Sequence, residues 1–155
     1  MEEKILGEIK NLTFQMFGNE KYIYNMYFTQ NRLLTFYLDA AFIGPGYPIP
    51  DLRESRNIEL KKRLNEKNSK LTISNMSTDE ILSSNIKNFD IYYKDIEEII
   101  MKGVGFRFKL KNKHKLDFVE ENPTFAFWKI SDKKDAYNLL KKFIPAKITE
   151  KKLFW

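Results

Sequence analysis

The sequence predicts a mainly β fold with α: an antiparallel sheet of seven strands, a C-terminal helix, and a helical insertion over about residues 50–86. Three observations carry this. Apolar and polar residues alternate at period two in seven short runs, the pattern of half-buried strands. Near the C-terminus the period becomes that of a helix, with Ala136, Leu139, Leu140 and Phe143 on one face. After the third run, Asp51 with Glu54 and Ser77 with Glu80 have the spacing of capping boxes, in which side chain and backbone satisfy each other at a helix start. The chain reads as a single domain, 1–155, with an insertion at 40–88 and a tail at 145–155.

In the first strand Leu12, Phe14 and Met16 share one face, Thr13 and Gln15 the other, and Gly18-Asn19 supplies the turn. In the second, Tyr22, Tyr24, Met26 and Phe28 alternate with Ile23, Asn25, Tyr27 and Thr29. A tight hairpin at Gln30-Asn31 leads to a third strand, Leu33 to Leu38, since Asn tolerates the left-handed conformation such turns demand. Arg32 is expected to pin this hairpin against a carboxylate such as Asp95 rather than to grip a ligand. The irregular AAFIGPGYPIP precedes a helix reaching about Lys67. Its apolar stripe, Leu52, Leu60 and Leu64, is thin, so the helix is expected to lie on a surface without anchoring a core. A fourth strand runs from Phe89 through Ile91, Ile96, Ile99 and Ile100 to Gly103. In FRFKLK, the fifth, Phe106, Phe108 and Leu110 face the core while Arg107, Lys109 and Lys111 face water. Leu116 and Phe118 mark the sixth and TFAFWKI the seventh. Ser131 caps the last helix and Pro145 ends it.

A hydrophobic fraction of 43% with 15% aromatics supports a real core and excludes global disorder. The absence of cysteine removes disulfides and cysteine-based zinc sites and fits a reducing compartment. MEEKILGEIK has no apolar run of the secretory kind. Glycines and prolines crowd the weakly charged stretch from Leu33 to Pro50, so it cannot form the roughly 20-residue helix that crosses a bilayer. The expectation is a soluble cytoplasmic protein without a transmembrane segment, able to lie peripherally on a membrane. The net charge of +6 is uneven: residues 1–101 hold 13 Lys/Arg against 15 Asp/Glu, and residues 102–155 hold 14 against 6. A basic C-terminal third suggests an anionic partner, although lysines that only confer solubility give the same pattern.

The order of elements, with Thr29-Gln30-Asn31-Arg32-Leu33 followed by Ile91-Tyr92-Tyr93-Lys94-Asp95-Ile96, resembles the pleckstrin-homology-like (PH-like) superfamily, and within it the bacterial and archaeal GRAM-related domains. The resemblance spans about residues 6–144. It implies a seven-stranded antiparallel barrel capped by the C-terminal helix, here with a helical insertion after strand three, and a non-catalytic lipid- or protein-binding role. The insertion and the tail KITEKKLFW depart from the family pattern. Many PH domains bind phosphoinositides through basic residues between strands one and two. Here that loop is Gly18-Asn19-Glu20-Lys21, a single lysine beside an acid, so that site does not carry over.

No catalytic group, cofactor or metal site is read from the chain. The one histidine, His114, lies in the turn NKHK, and no P-loop or GxSxG occurs. Glu97-Glu98 and Glu120-Glu121 are strand neighbours that point to opposite faces, so neither forms a carboxylate dyad. Gly103-Val104-Gly105 lacks a following helix and reads as a strand turn. For an anionic surface the candidates are Arg107, Lys109, Lys111, Lys113 and Lys115 on one hairpin, with Arg53, Arg56, Lys61, Lys62 and Arg63 on the insertion helix. For apolar contact they are Phe42, Ile43 and Tyr47 in the loop and Phe154 and Trp155 in the tail. The expected function is that of a peripheral membrane or protein-interaction adaptor, with a second copy of the chain among its candidate partners. The alternative is nucleic-acid binding by the basic third. Alternation disfavours it by placing Phe106 and Phe108 opposite the cations, whereas a stacking platform needs both on one face.

Overall fold

A computed structural model describes residues 3–15, 20–42, 50–102, 105–112, 115–120 and 130–150. Its elements are β1 (Gly7–Gln15), β2 (Glu20–Phe28), β3 (Arg32–Phe42), α1 (Pro50–Lys70), α2 (Thr78–Ser83), β4 (Asp90–Tyr92), β5 (Ile96–Lys102), β6 (Gly105–Leu110), β7 (Lys115–Glu120), α3 (Ile130–Phe143) and β8 (Lys147–Glu150). The strands form one ladder in the order β4-β3-β2-β1-β7-β6-β5-β8. It consists of two four-stranded halves, joined where Leu12, Thr13 and Phe14 meet Glu120, Val119 and Phe118.

A bulge in β1 prepares that junction. Ile9 pairs with Met26 but Leu12 with Tyr24, so Lys10 and Asn11 together oppose Asn25. Asn11 takes φ 57°, a left-handed value that Asn accepts more readily than most residues. Its N–H donates to the Asn25 side chain at 3.0 Å. Bulges bend a strand and raise its twist, which suits a strand that must serve both halves. The halves share one core: Leu12, Met26, Phe28 and Leu33 from the first meet Ile99, Met101, Phe106 and Phe108 from the second. Ala136, Leu140 and Ile144 enter the same cluster, and Phe143 stacks on Phe28 with centroids 5.5 Å apart.

Several expectations change. Among the described residues the ladder does not close into a barrel: the end strands, β4 and β8, each pair on one side alone. β4 is three residues long and leaves the sheet in a 3-10 turn at Tyr93–Asp95. That turn also divides the expected strand from Phe89 to Gly103 into β4 and β5. The first part of the expected tail is an eighth strand: β8 runs parallel to β5, Ile148 beside Ile99, with Thr149 donating to Glu98 at 2.7 Å. A parallel neighbour needs a long crossover, and α3 supplies it. TFAFWKI lies outside the described residues except for Ile130, which opens α3 instead of ending a strand.

The insertion holds more than its sequence suggests. Leu60 and Leu64 of α1 are buried against Ile23 and Leu38, a second core that the thin stripe was not expected to build. Ser77 accepts the Glu80 amide as expected, and Ile81 of α2 is buried with Tyr27 and Leu34. In consequence β2 is buried on both faces from Ile23 to Thr29, although its alternation suggests one wet side. A buried polar set locks α1 down: Asn25 donates to Tyr27 Oη and to Asn68 Oδ1, and Asn68 donates to Asn11 and to the Leu64 carbonyl.

Arg32 does pin the hairpin, but not against Asp95. Its guanidinium, with a side chain 11% exposed, lies 2.8 Å from Glu3 and 2.7 Å from Asp90. Thr29 closes the turn from inside: its amide donates to the Arg32 carbonyl, and its hydroxyl lies 2.8 Å from Glu3 and accepts the Arg32 amide. Asp95 faces elsewhere because the 3-10 turn carries it toward β6, where its carbonyl accepts the Lys111 amide.

Two outcomes follow from this packing. Leu64→Ala should lower stability by about 2–4 kcal/mol in chemical denaturation, the cost of a cavity in a buried cluster, whereas a helix merely resting on the surface would lose under about 0.5 kcal/mol. The Arg32 hydrogen bond is the main reason the Glu3 carboxyl sits below its ordinary value of 4.5, with Thr29 and Thr78 adding to it and burial opposing. A depressed carboxylate contributes stability above its unfolded pKa and loses it as the pH falls through the folded one. Glu3→Gln should therefore cost about 1–2 kcal/mol at neutral pH, and less in acid. Urea midpoints for both proteins between pH 7 and pH 3 should converge; a constant gap would exclude the ion pair as the cause.

Candidate functional site

A cleft of about 840 Å³ opens where the first half of the sheet turns into the second. One wall is β4 and the turn after it, with Phe89, Ile91, Tyr92 and Asp95. The other is the start of the β6–β7 hairpin, with Leu110, Lys111 and Leu116, and Phe14 of β1 also lines it. β4 and β6 are not neighbours in the ladder, and the cleft lies between residues of the two.

The main-chain direction of β4 is fixed by its pairing. The Thr35 amide donates to the Phe89 carbonyl, the Tyr93 amide to the Asn31 carbonyl, and Leu33 is in register with Ile91. Phe89, Ile91 and Tyr93 thus turn their main-chain groups toward β3. Antiparallel alternation then sends those of Asp90 and Tyr92 away from β3, to the outer side of β4, and both residues line the cleft. Ile91 and Tyr93 are buried, while Tyr92 is 42% exposed and sits near the Arg32 guanidinium and the Lys94 ammonium.

At the far end of β4 the cleft meets an aromatic cluster. Phe89 lies 5.6 Å from both Phe14 and Tyr24, and Tyr24 lies edge-on to Tyr22 and Tyr37. The Lys87 ammonium stands 4.4 Å from the Tyr37 ring centroid and 4.8 Å from that of Tyr22. Burial, with Tyr22 and Tyr37 adding, pushes the Tyr24 hydroxyl up to about 12. It therefore stays protonated at neutral pH and donates to the Lys87 carbonyl at 2.7 Å.

The expected basic residues whose side chains are described divide between α1 and the β6–β7 hairpin. Arg107 is held by Asp117 in a two-pronged pair at 2.7 and 3.1 Å. Arg63 reaches Asp39 and Glu59, and Lys67 reaches the same Asp39. Lys61 and Lys62 are exposed on α1, which packs on β2 and β3. Lys109 and Lys115 are paired across the β6–β7 hairpin, with Lys111 exposed beside them. β2 and β6 are three strand spacings apart, about 14 Å along the sheet. Arg53, Arg56 and Phe42 lie on described backbone, but their side chains lie outside the described residues, as do Lys113, Ile43, Tyr47, Phe154 and Trp155 entirely. Phe106 and Phe108 are fully buried and cannot stack on bases.

Of the residues that line the cleft, Lys111 is a candidate site residue from the sequence, while Ile91, Tyr92 and Asp95 read there as fold residues only. Tyr22, Tyr24 and Tyr37 carry a weak signal, aromatics recurring at strand ends, but their meeting with Lys87 depends on how a long insertion returns. Among the described residues no group of three or more His, Cys, Asp or Glu converges, and no helix is long and apolar enough to cross a membrane.

No protein-family model matches the chain, and no curated protein is significantly similar to it. Among solved structures, the crystal structure of the C-terminal domain of an unknown protein from Leishmania infantum is similar over 91% of this chain and 84% of that one, at 10% identity and a TM-score of 0.46. A likeness of that degree assigns neither family nor function.

Proposed function

We propose that this chain is a non-catalytic binding module of PH-like architecture that acts as a protein-interaction adaptor, taking an extended peptide into the cleft beside β4. The observation that carries this is a cleft lined by Phe14, Ile91, Leu110 and Leu116 beside a strand whose alternate main-chain groups turn away from β3. A peptide laid there adds a strand, gaining affinity from main-chain hydrogen bonds and selectivity from alternate side chains set against Phe14, Ile91 and Leu116. The PH-like reading is supported by one core shared between two sheet halves and the last long helix.

Peptides selected on this protein from a random display library should shift the amide resonances of Asp90, Tyr92 and Lys111. N-methylation at any one residue bonded to β4 should weaken them about fivefold, at about 1 kcal/mol per lost hydrogen bond. Peptides that tolerate N-methylation throughout, or that map to α3, would sink the strand-addition reading.

A second reading is favoured by Lys109, Lys111 and Lys115, which cluster on one hairpin. Three lysines at about 1 kcal/mol each support weak, salt-sensitive association with an anionic bilayer. Replacing all three by Gln should lower co-sedimentation with phosphatidylserine vesicles by up to roughly a hundredfold at low salt. Equal pelleting with neutral vesicles would remove this reading.

A further inference from the structure

We propose that Tyr22, Tyr24 and Tyr37 form a cation cage, plugged in the free protein by Lys87, whose ligand is a trimethylated lysine side chain on the peptide that occupies the cleft. The Tyr22 and Tyr37 rings stand 87° apart with centroids at 5.6 Å, and Tyr24 closes the corner at 76–77° to both. Two ring faces thus point at one spot, and the Lys87 ammonium occupies it. Among the described residues no carboxylate pairs with that ammonium, and the faces of Tyr22 and Tyr37, with their negative quadrupoles, are what it stands against.

The plug is placed by its backbone. The Tyr24 hydroxyl holds the Lys87 carbonyl, the Asn85 side chain accepts the Lys87 amide at 2.8 Å, and Asn88 bonds back to α2 and to the Tyr37 amide. Ile86, at the tip of this turn, is 99% exposed, so the plug sits on an open rim.

The chemistry selects the occupant. A tethered ammonium has an effective concentration in the millimolar range, so a free primary amine competes poorly with Lys87. A trimethylammonium has no N–H to desolvate and offers methyl surface to the rings, the property by which aromatic cages select it. The same head occurs in choline lipids, but the surroundings favour a peptide. The cage joins the cleft through Tyr24, Phe89 and Phe14, and Lys87 precedes Asp90 by three residues, about 10 Å of extended chain. Outward main-chain groups on β4 suit a peptide and do nothing for a lipid. The carrier rests on the strand-addition reading; the cage itself does not.

The test is a titration of N-acetyl-trimethyllysine amide, with N-acetyl-lysine amide and phosphatidylcholine vesicles as comparisons, followed by the tyrosine ring resonances. Lys87→Ala should bind the trimethyl compound about tenfold tighter than the parent protein and about tenfold tighter than the unmethylated one. Tyr37→Ala added to it should abolish the shift. Lys87→Gln reports the same contrast if the alanine variant does not fold. No gain on removing Lys87, no preference for methylation, or stronger perturbation by the vesicles than by the amino-acid derivative would each overturn the proposal. The derivative is too short to reach β4, so an intact titration beside failed peptide binding discards the strand-addition reading alone.

Discussion

The Arg32 guanidinium joins segments that the chain keeps far apart. It takes Glu3 from the N-terminal segment and Asp90 from β4, lies 3.4 Å from Thr78 of α2, and sits over Tyr92. Asp90 is the return point of the insertion, so this one side chain fixes where some fifty residues of added chain re-enter the sheet. Its placement explains why an arginine suits the site. A planar guanidinium holds five N–H donors in a fixed fork that meets two carboxylates in set directions, whereas a lysine offers three rotatable donors on one point charge. Its pKa is raised further by these partners, with Glu3 contributing most, so it remains a cation throughout any accessible pH.

With β4 held there, the rest of the molecule is a matter of which surfaces get covered. α1 and α2 cover the outer face of β2 and β3, and α3 joins the shared core. β8 pairs with the outer edge of β5. Among the described strands the outer edges of β8 and β4 are left, and that of β4 carries the marks of an edge kept from indiscriminate pairing: three residues, one of them Asp90, and an immediate turn away. A strand that short cannot template aggregation, yet it can align one partner whose apolar side chains fit the cleft. Through Asp90, which lines the cleft, Arg32 also helps to fix one of its walls.

The local parts of this fold were legible because they rest on local physics. Alternation located β1, β2, β3, β6 and β7, the Ser77–Glu80 spacing located α2, and the face Ala136–Leu140–Phe143 located α3. What escaped was set by non-local partners. The Leu60–Leu64 pair is too sparse to announce a core, and becomes one only because Ile23 and Leu38 face it across the sheet. KITE has no stronger strand signal than many surface runs, and is a strand because α3 delivers it to the free edge of β5. The cage was invisible for the same reason: Lys87 is an ordinary loop lysine until the return of the insertion sets it between two tyrosines.

Charge shows how misleading a sum can be. The sequence carries +6, yet Arg32, Arg63, Lys67 and Arg107 are each matched by a carboxylate partner. The Arg63, Lys67 and Arg107 pairs are more exposed than that of Arg32, and such pairs add little stability; together the four remove cations from the pool that could face a partner. The lysines that remain near the cleft, Lys109, Lys111 and Lys115, stand on its β6–β7 side, with Asp95 on the other. Charges at a rim change how often a partner arrives more than how tightly it stays. On the strand-addition proposal, the hairpin lysines would therefore bias the encounter toward partners with acidic residues outside the bound stretch, while the apolar walls and the β4 main chain would govern how long the complex lasts.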